Sequence, residues 1–283
     1  MLEITELDHF LNFLAKMIWS EFFLIPALAC TGLYLTLGLR GFQFRYFVRS
    51  LKILFRARSA GKIDSSGEIS QIQALMTALS ATIGTGNIIG VATAIQLGGR
   101  GAVFWMWVVA LIGMATKFSE AVLAVKFREI DQLGFSVGGP MYYIKNGLNS
   151  RWAFLGTLFA LFGTVAAFGI GNTVQSNAVA KVVEQYFFVP HSTTGFFLAS
   201  LTALVLIGGI KRISIVAEKI VPIMAILYIS MSLIILCIRI EEIPGILSGI
   251  LSDAFAPSSV GGAGIWLALR WGFARGIFSN EAG

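Results

Sequence analysis

Residues 81–90 read Ala-Thr-Ile-Gly-Thr-Gly-Asn-Ile-Ile-Gly, placing hydroxyls, an amide and glycines in the middle of the apolar run 74–97. Glycine lowers helix propensity by about 1 kcal/mol relative to alanine, and Gly84 and Gly86 fall within three residues. A helix interrupted here exposes carbonyls at the end of its first half and N–H groups at the start of its second. The carbonyls suit a cation, and the N–H end, with its positive dipole, suits a carboxylate. Gly86-x-x-x-Gly90 is also the small-residue spacing that lets membrane helices pack closely, so a packing role stands beside the broken-helix role. A nucleotide-binding glycine loop is excluded, since its last spacing is wrong and no strand precedes it.

Two other segments are chemically unusual. Arg275-Gly276-Ile277-Phe278-Ser279-Asn280-Glu281-Ala282-Gly283 sets an Asn-Glu pair in an apolar crossing. An ionisable group at membrane depth costs at least ~2.5 kcal/mol and usually faces a protein interior. Glu281 alternatively snorkels from a helix end. Phe168-Gly169-Ile170-Gly171-Asn172-Thr173, followed by Gln175, Ser176 and Asn177, reads either as a surface facing a cavity or as a set of interhelical hydrogen bonds. Interruptions at matching places in two halves of a chain are the best sequence pointer to a transporter site.

The elements that must carry these segments are membrane helices. The chain has 283 residues, is 56% apolar and 13% charged, and has a mean hydropathy of +0.80. Soluble domains carry about 25% charged residues, whereas a spanning helix needs about 20 apolar residues in a row. The fold class is therefore all-α and polytopic, one membrane unit with spans near 18–39, 74–97, 102–125, 152–187, 195–210, 216–238 and 265–283. Residues 2–17 form an amphipathic surface helix carrying Leu7, Phe10, Leu11, Leu14 and Met17. A Ser70…Gln73 capping box opens the second span. The loop Arg40, Arg45, Arg49, Lys52, Arg56, Arg58 and Lys62 is a strong positive-inside signal, which puts the N-terminus outside. Lys126, Arg128, Lys145, Lys211 and Arg212 continue the alternation, and Arg239, Glu241, Glu242 and Asp253 mark a mostly acidic outer loop. Spans two to six form one five-helix repeat, and the seventh opens the next.

Other function classes fall away. The net charge of +6 sits in short loops rather than in an aromatic and basic strip, so nucleic acid is not a partner. Cys30 and Cys237 lie in apolar runs as packing residues, with no metal or disulfide pattern. Acidic Glu3, Glu6 and Asp8 stand where a signal peptide would be basic. No catalytic constellation is visible: His9 and His191 lie at membrane edges, so the protein is not an enzyme and needs no cofactor. A channel would show a ring of charges or a filter repeat. Arg270 and Arg275 snorkel outward or line an outer gate.

The segments Ala81–Gly90, Gly139-Pro140-Met141-Tyr142-Tyr143-Ile144, Phe168–Asn172, Gln175-Ser176-Asn177 and Arg275–Gly283 resemble the alanine/glycine:cation symporter family, across nearly all of 18–283. The resemblance implies a leucine-transporter-like inverted-repeat fold with an extra N-terminal helix. It also implies symport of alanine or glycine with sodium, or another cation, across the cell (inner) membrane. By the same resemblance, Gly84, Thr85, Gly86, Asn87, Phe168, Ile170, Gln175 and Asn280 bind substrate, with Ser279 and Gly283 beside Asn280. Thr82, Ile83 and Asn87 bind the coupling cation. The family pattern continues for four more helices, so the sequence reads as the first repeat plus the start of the second. It is then an N-terminal portion completed by a fragment encoded downstream, or a non-transporting remnant.

Overall fold

The structure, a computed structural model, describes residues 8–14, 17, 23–59, 68–169, 172–256 and 264–280, with the side chains of 55–59, 264 and 280 left aside. Residues 8–14 are helical, and Phe10 and Leu11 are exposed. The helices that follow are α1 (Leu24–Gly38), α2 (Phe42–Arg45), α3 (Phe47–Ser59), α4 (Gln71–Thr82), α5 (Thr85–Gly98) and α6 (Gly101–Lys126). A two-stranded antiparallel hairpin, β1 (Glu129–Ile130) and β2 (Ser136–Val137), comes next. The remaining helices are α7 (Pro140–Gly147), α8 (Phe154–Ala167), α9 (Asn172–Phe187), α10 (His191–Leu206), α11 (Gly209–Ile238), α12 (Ile243–Phe255) and α13 (Gly264–Asn280).

Among the described residues, four helical stretches are long and apolar enough to cross a membrane: Gln71–Gly98, which contains the interruption, Gly101–Lys126, Ser150–Phe187, which contains two helices, and Gly209–Ile238. At 1.5 Å per residue, the 26 residues of α6 reach about 39 Å, past a ~30 Å hydrocarbon core. Their apolar side chains point outward: Ile223, Ile226, Ile229 and Ile234 of α11 are all exposed. An apolar surface of that extent marks contact with lipid. The chain is an all-α membrane protein that crosses the bilayer several times.

The chain forms two compact units. One comprises Met1–Phe47, Gly86–Ser119 and Leu236–Gly283, and the other Val48–Thr85 and Glu120–Ile235.

In the first unit, α13 lies in a bed of close helix contacts. A Cβ added to Gly272 would meet Ala102 O and Trp105 Cβ, each at 2.6 Å, and one on Gly276 would touch Val109 of α6 at 3.3 Å. Ile25, Val109 and Phe273 bury together where α1, α6 and α13 meet. Gly98 meets Leu267 O and Trp271 Cβ, while Gly86 meets Phe278 and Ser279, so α5 and α13 run antiparallel. Gly90, Ala94 and Gly98 are buried along α5 at four-residue intervals from Gly86, the interval that close membrane packing favours. The buried Gln43 amide donates to Thr36 Oγ1 at 3.1 Å and to Leu111 O at 3.5 Å, tying the end of α1 to α6.

The acidic stretch after α11, expected as a loop, is a turn of 3-10 helix followed by α12, with a proline at its start. Its end docks on the α5–α6 turn: Arg100 pairs with Asp253 at 2.9 Å, and the Trp105 indole N–H donates to Ala254 O at 3.2 Å. Phe255 packs against Phe104 and Trp105. Gly99 supplies the left-handed backbone of that turn, with φ of +74°.

In the second unit, Gly139 takes φ of +114° and Pro140 opens α7, the helix start that proline suits. Gly156 brings α8 onto the Met141 carbonyl. Helices α9 and α10 pack as a pair, joined through Phe188 with φ of +57° and the His191–Glu184 contact at 2.8 Å. Lys211 and Arg212, expected in a loop, lie in the first turn of α11, which begins at Gly209. Cys30 and Cys237 both lie exposed on their helices rather than packed inside.

Candidate functional site: an interrupted helix

The helix that begins at Gln71 stops at Thr82 and resumes at Thr85. Its start follows from the capping box: the Gln73 N–H donates to Ser70 Oγ at 3.2 Å, and the Ser70 N–H donates to Gln73 Oε1 at 3.0 Å. Its end follows from Ile83, which leaves helical geometry for an extended one (φ −81°, ψ 107°). The Ile83 N–H still reaches back to Leu79 O at 2.8 Å, so the chain turns outward only after closing the last turn. The other carbonyls of that turn have no partner within the helix. The Thr82 hydroxyl donates to Ala78 O at 2.9 Å, leaving its oxygen lone pairs facing away from the helix.

Within the second unit, Gln175 of α9 covers the interruption. The Thr85 N–H donates to Gln175 Oε1 at 3.3 Å, so the glutamine side chain caps the first N–H of α5. Glycine lets the amide lie close over the break, because a Cβ on Gly84 would stand 2.6 Å from Gln175 Nε2 and would push that side chain away. Thr82, Ile83, Gly84, Thr85 and Gln175 are all half-buried. The arrangement sets carbonyl oxygens beside N–H groups, with one amide side chain that both donates and accepts.

Within the first unit, Gly86 and Asn87 form the first turn of α5 and are half-buried. Phe278 and the Ser279 backbone stand 3.7 Å from where a Gly86 Cβ would be. The helix breaks at Ile83–Gly84, and beyond the break α5 meets α13 at Gly86 and again at Gly98, whereas a Cβ on Gly90 would meet nothing within 4 Å among the described residues. Asn280 is the last residue of α13. Arg275 lies over the Trp271 ring at 5.5 Å, and its buried Nε has no hydrogen-bond partner among the described residues.

The segment after α8 is placed differently. Phe168 is 81% exposed in a turn whose N–H bonds to Val165 O, so nothing described covers it as the wall of a pocket. Asn172 and Thr173 hydrogen-bond to nearby backbone: the Asn172 amide donates to Ala167 O, and the Thr173 hydroxyl donates to Gly169 O. Ile170, Glu281 and Gly283 lie outside the described residues. The expected span 152–187 is two helices, α8 and α9, separated by this turn.

One contact near the site carried no signal in the sequence. Gln73 Nε2 donates to Glu218 Oε2 of α11 at 3.0 Å, half-buried on both sides. One glutamine side chain thus serves the cap of α4 and a neighbouring helix together. The capping box was readable from four residues of sequence, but its tie to a residue 145 positions away was not.

Comparison with known proteins agrees in kind. The chain is 49% identical over 282 residues to an uncharacterized transporter of Haemophilus influenzae, covering 98% of this chain and 60% of that protein. It is 49% identical over 274 residues to the sodium/alanine symporter AgcS of Methanococcus maripaludis, covering 96% and 60%. The probable sodium/glutamine symporter GlnT of Bacillus subtilis is 39% identical over 277 residues, covering 98% and 56%. The chain thus spans about 60% of the length of the first two relatives. These relatives are transporters rather than enzymes. The model of the sodium:alanine symporter family matches residues 4–283, and the chain belongs to that family.

Proposed function

We propose that the protein is a secondary active symporter that couples the inward movement of sodium, or another cation, to uptake of alanine or glycine. The observation that carries this reading is the interruption at Ile83–Gly84, with the Gln175 oxygen on the Thr85 N–H. A zwitterion needs an N–H end for its carboxylate and oxygen atoms for its ammonium. A cation needs a cluster of oxygens, which the end of α4 supplies. The backbone of Gly84, Thr85 and Gly86 and the side chains of Asn87, Gln175 and Asn280 would hold the substrate, with Phe168 and Ile170 bordering it. Thr82, Ile83 and Asn87 would hold the ion. The fold would be the leucine-transporter-like inverted repeat, with the N-terminus outside.

Sodium-dependent uptake of labelled alanine into proteoliposomes holding the full-length protein tests the proposal. Uptake should depend on an inward sodium gradient and fall at least tenfold in Asn87→Ala. Competition with unlabelled alanine, glycine and glutamine separates this substrate class from the one named for the Bacillus relative, and alanine or glycine should compete best. Uptake indifferent to sodium and to Asn87→Ala would refute it.

A further inference from the structure

Helix α3 (Phe47–Ser59) packs along no other helix among the described residues beyond isolated contacts. Its side chains nonetheless segregate, apart from Ile53, which is 52% exposed beside the basic side. Phe47, Val48 and Leu51 share one face and are 52%, 62% and 40% exposed, and Leu54 follows at the next helical position. Arg49 and Lys52 occupy the opposite face, both exposed, and Arg56 comes one turn later in the sequence. Neither Arg49 nor Lys52 makes an ion pair among the described residues. No Asp or Glu occurs between Leu39 and Ile63, a stretch with seven Lys and Arg. A helix of this kind, exposed on both faces, is stable where one face meets hydrocarbon and the other meets negative charge.

We propose that α3 lies in the membrane–water boundary, with Phe47, Val48, Leu51 and Leu54 among the acyl chains and Arg49 and Lys52 on anionic phospholipid headgroups. Charge complementarity selects the occupant. An acyl surface with anionic headgroups satisfies both faces at once, whereas a soluble anion would leave the apolar face in water. The segment is thereby more than a topology signal: it is a lipid-binding element directly ahead of the chain that leads to Ser70 and the interrupted helix. Each basic residue near an anionic surface favours binding by about fivefold, so Arg49 and Lys52 together favour anionic over neutral lipid by about thirtyfold.

The test uses the full-length protein with Cys30→Ser and Cys237→Ser and one fluorescent probe, on Leu51→Cys or on Arg49→Cys. It is reconstituted in mixed vesicles of phosphatidylcholine and phosphatidylglycerol, each brominated in turn on the acyl chain. The residue-51 probe should be quenched several-fold more than the residue-49 probe, and brominated phosphatidylglycerol should quench it better than brominated phosphatidylcholine. Arg49→Gln/Lys52→Gln should abolish that preference, Arg49→Gln alone should reduce it about fivefold, and Arg49→Lys should retain it. Thermal unfolding of each variant in detergent should match the parent, because α3 makes only isolated contacts with other helices among the described residues. Three results would each overturn the proposal. One is equal quenching at both positions, as expected for a helix in water or under a partner protein. Another is a preference unchanged by neutralisation. The last is a preference erased by inorganic phosphate, which would mark a soluble-anion site.

Discussion

A methyl group at position 84 separates the role of the interrupted helix in binding from its role in folding. In Gly84→Ala the new Cβ would lie 2.6 Å from Gln175 Nε2 and 3.3 Å from both Cδ and Oε1. Ordinary contact begins near 3.5 Å, so the amide must retreat by ~1 Å. Its bond to the Thr85 N–H is already 3.3 Å long and is lost in that movement. A neutral hydrogen bond is worth about 0.5–1.5 kcal/mol, which corresponds to a roughly fivefold weaker half-saturation for substrate. Stability should change by less than about 1 kcal/mol, because the loss of that bond is offset by a gain through the unfolded chain. Position 84 has an ordinary backbone conformation, and replacing glycine by alanine at such a position stabilises by about 0.4–1 kcal/mol through the unfolded chain. The assay is alanine uptake measured with thermal unfolding for four proteins: the parent, Gly84→Ala, Gln175→Ala and the double variant. Because the methyl acts only by displacing Gln175, adding it to Gln175→Ala should have no further effect on half-saturation, a coupling of about 1 kcal/mol. Additive losses, or a Gly84→Ala protein with unchanged half-saturation, would refute the assigned geometry.

Three further outcomes follow from contacts elsewhere. Glu218→Ala removes the acceptor of Gln73 Nε2 and should lower stability by about 1–2 kcal/mol, read as a fall in the unfolding midpoint, while Glu218→Gln should lose less. Gly101→Ala sets a Cβ about 2.5 Å from the Asp253 and Ala254 backbone; it should cost more than 2 kcal/mol, whereas Arg100→Ala, breaking a bridge whose arginine is 59% exposed, should cost under about 1 kcal/mol. Hydrogen bonds from Asn146 and Lys145, with the Lys145 charge, hold the Glu129 carboxyl below its ordinary range. Its support of the β1–α7 contact is therefore complete above the ordinary carboxylate pKa and lost as pH falls through the lowered one. Hydrogen exchange at β1 and α7 should rise on acidification in the parent, and in Glu129→Gln it should be insensitive to pH over that range.

The interruption was legible because glycines, hydroxyls and an amide have no reason to occupy the centre of an apolar run unless the backbone or a close neighbour needs them. Its position was not legible to the residue. The polar stretch Gly84–Asn87 pointed to the break, yet Thr85 already begins α5, and what ends α4 is the extended backbone of Ile83. The N–H of Thr85, which opens α5, is capped by Gln175, 90 residues away. The choice between a break and close packing proved no choice, since α4 ends at Thr82 and α5 then meets α13 at Gly86 and Gly98. Helix α12 was missed because charged Glu241, Glu242 and Asp253 suggested a loop. Pro244 and the spacing of Ile246, Leu247, Ile250 and Leu251 were the available signs of a helix. The basic stretch 40–62 was read for its charge alone, and the period of its apolar residues shows that most of it is α3. Phe168 shows the converse limit: a motif suggests a role, but only packing could place that ring, and the ring is exposed.

The central claim is that the helix interrupted at Ile83–Gly84 binds an amino-acid zwitterion together with a cation. Calorimetric titration of the purified full-length protein with alanine, in sodium and in choline, measures it most directly. Binding should be saturable in sodium, at least tenfold weaker in choline, and weakened in Gln175→Ala and Asn87→Ala. Equal isotherms in the two salts, with neither substitution changing them, would contradict it.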